Sequence, residues 1–161
     1  HLDLQADQTA SGLIIAAEAY AYHGSLLADT RCPGDEAARS RILRGAGISS
    51  QDYLHAIETR LARMPAIHAI FGSLDFLVLP TTAISAPPTS EIREDDPTPS
   101  QLTRFVNYYG LSAIALPCGT DAGGMPLSVQ LVAGPRQEAM LLRIGAALQR
   151  HTGYHRLRPS L

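Results

Sequence analysis

Few residues in this chain have types and spacing suited to chemistry. His151 and His155 stand four apart, a spacing that can hold a metal ion on one helix face. Gly153 lies between them and no third ligand accompanies them, so a polar helix end is the stronger reading and no metal site is assigned. Gly119–Gly124, GTDAGG, follows an apolar run but lacks the phosphate-loop pattern, and reads as a strand connection. Glu94, Asp95 and Asp96 could attract a cation, although a solvated charge run accounts for them. Cys32 and Cys118 are too few for a disulfide framework or a thiolate metal site, and are expected to be reduced. No Gly-x-Ser-x-Gly elbow occurs. All thirteen basic residues are arginine, so no lysine can serve as a base. Asn107 and Tyr108 precede an apolar strand pair and are candidates to line a pocket; core or loop-tying roles stand beside that reading.

The elements that must position such residues centre on Asn107–Pro135. Two apolar runs, Ser112–Pro117 and Leu127–Ala133, are bounded by Gly and Pro and read as buried strands. The glycine-rich stretch Gly119–Pro126 between them is expected to be too long for a tight hairpin. Gln130 faces away from Leu127, Val129 and Leu131 and needs hydrogen-bond partners if its side of the sheet is covered. A third strand is expected over Leu74–Leu79, closed by Pro80, and Pro80–Pro99 reads as a surface loop or lid.

Helices are expected elsewhere. Thr9 or Ser11 would cap the first, which runs through LIIAAEAYAYHGSLLA and has apolar residues on nearly every face, so burial on most sides is expected. Arg31–Gly34 would break it, and a short helix over Asp35–Arg44 would follow. Ser49 or Ser50 would cap the next helix, whose apolar stripe is Leu54, Ile57, Leu61 and Met64, continued by Ile67, Ile70 and Phe71. Pro65 should kink or split it. A short helix near Ser100 and a longer one after Pro135, stopped near Gly153, complete the set.

The 161 residues suit one domain, residues 1–161, with its own core. A hydrophobic share of 45% and a charged share of 17% indicate a globular chain rather than a disordered one. The net charge of −2 provides no basic field for nucleic acid. No apolar run approaches a bilayer's span and no signal pattern opens the sequence, so a cytoplasmic location and no membrane partner are expected. The sequence begins with His1, and HLDLQADQTASG reads like the interior of a protein; a longer parent chain is expected.

In order along the chain, several segments resemble the C-terminal part of the amidase signature family. Ala17–His23 resembles its AE…YH helix start. RILRG over Arg41–Gly45 is similar to R-I-x-x-G, and the helix bearing Asp52, Tyr53 and Arg60 follows as in the family. LDFLVLPTTAISAPP over Leu74–Pro88 resembles D-x-L-V-x-P-T…A-P-P. RFVNYYGLSAIALP, GMPLSVQL and Glu138–Ala146 resemble the segments that close the family's domain. Ser112 stands where the family usually has proline, and Ser128 where it usually has glycine. Near Ser100, Gln101 and Leu102, members like the A subunit of glutamyl-tRNA amidotransferase carry an acid that holds glutamine's amino group; its absence makes free glutamine a poorer substrate here.

The resemblance implies an α/β fold, a mixed β-sheet covered by α-helices. It implies hydrolysis of a small amide's C–N bond to acid and ammonia or amine by a serine, a second serine on a cis peptide, and a lysine base. Neither that lysine nor a Gly-Gly-Ser-Ser-type stretch is present, so no catalytic residue is assigned here. An N-terminal amidase portion is the expected partner, alongside the small-molecule amide. Arg41 matches a position where an arginine can hold a substrate carboxylate. Arg41, Asn107 and Tyr108 are thus the substrate-binding candidates; no cofactor is expected, and a homo-oligomer is left open. The alternatives are a non-catalytic binding or assembly module of the same descent, and an A-subunit-like part of a tRNA-dependent amidotransferase.

Overall fold

The computed structural model describes residues 2–27, 35–93, 96 and 98–158. The expected helix break at Arg31–Gly34, Cys32, and Glu94 and Asp95 of the acidic run lie outside the described residues. The chain divides into two compact units, His1–Pro65 and Ala66–Leu161, each described by itself. Among the described residues no helix is long and apolar enough to cross a membrane.

The first unit is helical. Helix α1 spans Leu4–Leu27 and starts earlier than its apolar run suggests. Asp3, rather than Thr9 or Ser11, provides the cap: its Oδ1 accepts from the Ala6 amide at 3.1 Å. Buried Asp7 pairs with Arg63 at 2.6 Å, joining the start of α1 to the third helix. Helix α2, Glu36–Leu43, is capped by Asp35 and runs into a 3-10 turn over Arg44–Gly47. That turn presses on α1. A Cβ placed on Gly45 would lie 2.0 Å from the Ala16 carbonyl oxygen, so only glycine permits this approach.

Helix α3 spans Ser50–Ile70. Ser49 caps it as expected, its Oγ accepting from the Asp52 amide at 3.0 Å. Pro65 does not split the helix, because losing one amide donor leaves the flanking turns intact. Two expectations of burial are corrected here. Tyr22 of α1 is 80% exposed, and Ile15 and Leu26 are also exposed. On α3, Leu61 is 58% exposed and Leu54 is likewise open, whereas Ile67, further along the same stripe, is buried as expected, and Ala56 is buried beside the stripe. Periodicity identifies an apolar stripe, but whether anything covers it depends on its neighbours.

The second unit carries the sheet. Strand β1 is Leu77–Pro80, β2 is Ser112–Thr120 and β3 is Pro126–Ala133. They pair antiparallel in the order β1-β3-β2, with Val78 opposite Leu131 and Ile114 opposite Leu131 on the other side. β1 starts at Leu77 rather than Leu74, and Pro80 is its last residue, which an edge strand tolerates. Helix α5, Glu138–His151, covers one face of the sheet, packing Leu141 with Leu116, Leu131 and Ala133. Helix α4, Arg104–Tyr109, follows a 3-10 turn over Thr98–Ser100 and ends at Gly110, whose φ of 64° suits glycine.

The expected long connection between β2 and β3 is corrected. Thr120 pairs with Pro126, and the pairing continues beyond the apolar run of β2 through a one-residue register shift, a bulge, between Pro117 and Gly119. Asp121 closes the turn by accepting from the amides of Gly123 and Met125, both at 2.9 Å. Gly124, at φ 82°, completes it. The two runs therefore form a hairpin.

Candidate functional site

The framework of the site is strand β3 with the segments that Gln130 holds. Side chains alternate along β3, so Gln130 points to one face while Val129 and Leu131 point to the other, towards α5. Gln130 is 2% exposed. Its Nε2 donates to the Pro80 carbonyl at 3.1 Å and to the Leu102 carbonyl at 2.5 Å. One buried amide thereby ties β3 both to the start of the Pro80–Pro88 loop and to the segment that leads into α4. The need for such partners was legible in the strand pattern; their identities were not.

On the loop side lies a cleft of about 440 Å³ lined by Leu79, Ile84, Leu127 and Val129, with Ser85, Ser128 and Cys118 among its polar groups. Cys118 is an exposed free thiol. The loop is held in three places. Thr81 donates its amide to the Ser128 carbonyl at 3.1 Å. The Thr82 hydroxyl donates to the Ile84 carbonyl at 2.8 Å. Ser85 hydrogen-bonds the Asp121 carboxylate, and this bond, followed by those from the Met125 and Gly123 amides, holds Asp121 below the usual carboxylate pKa. The Asp-x-Gly-Gly run is the signal that could have revealed Asp121 as a turn organiser. Such a cleft, mostly apolar with a few polar groups, suits a small organic ligand.

Helix α4 follows Leu102, the second segment that Gln130 ties down. Phe105, Val106, Tyr108 and Tyr109 are buried, whereas Asn107 is exposed. The Tyr108 and Tyr109 rings meet edge to face with centroids 4.8 Å apart. The Tyr109 carbonyl lies 2.8 Å from His68 Nε2, fixing the end of α4 beside α3. Of the binding candidates, Asn107 and Tyr108 are neighbours on α4 but point to opposite environments. Arg41 is exposed on α2, in the first unit. None of the three lines the cleft.

Ser112, at the start of β2, is 3% exposed. Its Oγ accepts from the Gln137 amide at 3.0 Å and donates to Glu138 Oε1 at 2.9 Å. The hydroxyl thus joins β2 to the first turn of α5. Glu138's own amide, and then Ser112, lower its carboxyl pKa.

The first unit has its own cleft of about 680 Å³, lined by Glu18, Tyr22, Ser49, Tyr53 and Leu54 among others. Tyr53 donates its hydroxyl to Glu18 at 3.0 Å, and that bond raises the phenol's pKa. The two histidines considered for metal fall on separate elements, His151 at the end of α5 and His155 in the 3-10 turn Tyr154–Arg156. They do not share one helix face.

A family model described as Amidase matches residues 26–142. The chain is 34% identical over 127 residues to a putative amidase AmiD of Mycobacterium bovis, covering 75% of this chain and 27% of that protein. It is 33% identical over 120 residues to the A subunit of the glutamyl-tRNA(Gln) amidotransferase of Picosynechococcus, covering 72% of this chain and 24% of that one. A crystal structure of an amidase shares the fold, with a TM-score of 0.85 at 22% identity, over 95% of this chain and 37% of the other. The chain spans about a quarter of the length of these two curated relatives.

Proposed function

The chain belongs to the amidase signature family, and on that premise we propose that it is the C-terminal portion of a hydrolase that cleaves a small amide to acid and ammonia or amine. In this reading the 161 residues contribute part of the central sheet and one side of the substrate pocket. A preceding portion contributes the serine nucleophile, the second serine and the lysine base.

The observation that carries this reading is the pairing of family membership with a sequence that contains no lysine. A serine hydroxyl is a weak nucleophile without an adjacent base, and oxyanion donors alone do not replace that base. Exposed Leu54, Leu61 and Tyr22 support it as well, since they offer apolar surface for further protein to cover. Arg41, Asn107 and Tyr108 remain the proposed substrate contacts.

The test uses the full-length native polypeptide that carries these residues. It is assayed for ammonia release from small amides and labelled with a fluorophosphonate, and the labelled peptide is sequenced. The expected label lies outside the 161 residues. Labelling within them, or amide hydrolysis by them alone, overturns the division of roles. Similarity to the A subunit of an amidotransferase supports a second reading, which the same assay separates by the use of free glutamine as amide donor.

A further inference from the structure

We propose that Gln130 binds the substrate directly, its side-chain oxygen accepting an N–H of the amide that is cleaved. That the ligand is a substrate rests on the hydrolase reading above; the unused acceptor rests on geometry.

Both hydrogen bonds of Gln130 leave from Nε2, to the carbonyls of Pro80 and Leu102. Two carbonyl partners fix the orientation of the side-chain amide, since only its NH2 end can meet them. Oε1 therefore points away from Pro80 and Leu102, and among the described residues nothing donates to it. Gln130 is 2% exposed, so this oxygen has given up bulk water without gaining a protein donor. Few buried polar groups are left in that state, and a missing ligand is one physical reason for it.

The neighbouring strand leaves an approach. Ala115 of β2 stands directly across the antiparallel ladder from Gln130 and shares its face, as does Ala113, which stands across from Val132. Both alanines are exposed. A methyl group at that spacing cannot reach over the oxygen, whereas on the β1 side the partner is the larger Leu79. A flat group with little height can thus reach Oε1 from the β2 side.

An uncharged acceptor in a dry setting selects a neutral donor. The class of ligand is a primary or secondary carboxamide; an ester, with no hydrogen on the corresponding oxygen, gives Gln130 nothing. The contact gains value along the reaction. As the serine oxygen bonds to the carbonyl carbon, the amide nitrogen turns pyramidal, and one N–H held by Oε1 aims the new lone pair elsewhere. There it takes the proton that the serine has lost, and the C–N bond breaks. Gln130 exchanges no atom. Its two clamped hydrogen bonds hold it in place for this role.

The experiment compares butyramide with methyl butyrate in the full-length native polypeptide. Gln130→Met should lower the amide-to-ester ratio of kcat/KM about tenfold or more. Gln130→Glu keeps an acceptor and loses the NH2 donor, so it should hold the ratio within about threefold of the parent. Both variants lose the clamp on Pro80 and Leu102, so a merely structural role would move the two together. A ratio unchanged in Gln130→Met, or lowered equally in both, overturns the contact. The parent provides a second readout through 13C-labelled glutamine Cδ. Butyramide should shift the Gln130 resonance, identified by its absence from either variant, and methyl butyrate should not; equal shifts, or none, overturn the contact. If butyramide alone shifts it while neither compound is hydrolysed, the contact stands and the hydrolase reading falls. If both are hydrolysed with a ratio independent of Gln130, the hydrolase reading stands and the contact falls.

Discussion

Gln130 on the central strand and Leu102 before α4 are joined by one buried hydrogen bond of 2.5 Å, from the side-chain Nε2 to the backbone carbonyl. The same nitrogen serves the Pro80 carbonyl at 3.1 Å, so a single side chain ties the central strand to two segments far from it in the chain. A buried carbonyl that loses its donor keeps the cost of its desolvation, which makes this position sensitive to substitution.

Gln130→Met keeps the length of the side chain and removes the donor. The expected loss of stability is about 2 kcal/mol, read from urea unfolding of the native polypeptide. Amide exchange at Leu102–Arg104 should accelerate as well, because the segment loses its tie to β3. A wild-type unfolding midpoint in this variant would show that the clamp carries no net energy.

Ser112 occupies a place where the family usually has proline, and its hydroxyl serves two groups at the junction of β2 with α5. Ser112→Ala should destabilise by about 1–2 kcal/mol, since the Gln137 amide and Glu138 both lose a partner. The Glu138 carboxyl pKa should rise only part of the way towards its ordinary value, because its own amide remains the larger influence. Carbon-detected titration of the carboxyl checks this. An unmoved pKa would contradict the hydrogen bond.

Gly45→Ala forces a methyl group against the Ala16 backbone and the Tyr20 Cβ, which lie 2.0 and 2.6 Å from the position it would take. Neither neighbour can yield by a simple side-chain rotation. The expected cost is about 2–3 kcal/mol, measured by thermal or urea unfolding. Gly47→Ala, where nothing lies within 4 Å, is the control and should cost much less. Equal effects at the two positions would mean that the close approach is not the cause.

Asp121 has its folded-state pKa lowered, first by Ser85 and then by two amides of its own turn. A carboxyl of this kind contributes stability that is fully present above its unfolded pKa of about 3.9 and is lost as pH falls through the folded value. Asp121→Asn should therefore be less stable than the parent at about pH 6, with the difference shrinking below about pH 4. Denaturation midpoints across that range provide the test. A difference that grows on acidification would reverse the sign of the linkage and exclude the proposed bonding. The carboxylate is exposed, so a small effect is expected.

Much of the local structure was legible because its causes are local. Ser49 starts α3 through its own hydroxyl, Asp35 caps α2, and the apolar spacing after Gln137 forms α5, all from residues within a turn of one another. The alternation in Leu127–Val132 put Gln130 on its own face and required partners for it. The start of α1 was missed because Asp3 caps a polar first turn, where apolar periodicity is silent. The hairpin was missed because Asp121 satisfies the turn through its side chain, allowing strand pairing to extend into Gly119 and Thr120.

The sequence by itself determined the family resemblance, the kinds of elements, and the absence of a lysine base, since motifs, periodicity and residue types are properties of the chain alone. Tertiary structure decided which apolar stripes are covered and that Gln130 reaches both Pro80 and Leu102. These depend on groups far apart in sequence meeting at fixed distances. Local spacing can require a partner for a buried amide, but only the packed chain determines which carbonyl arrives.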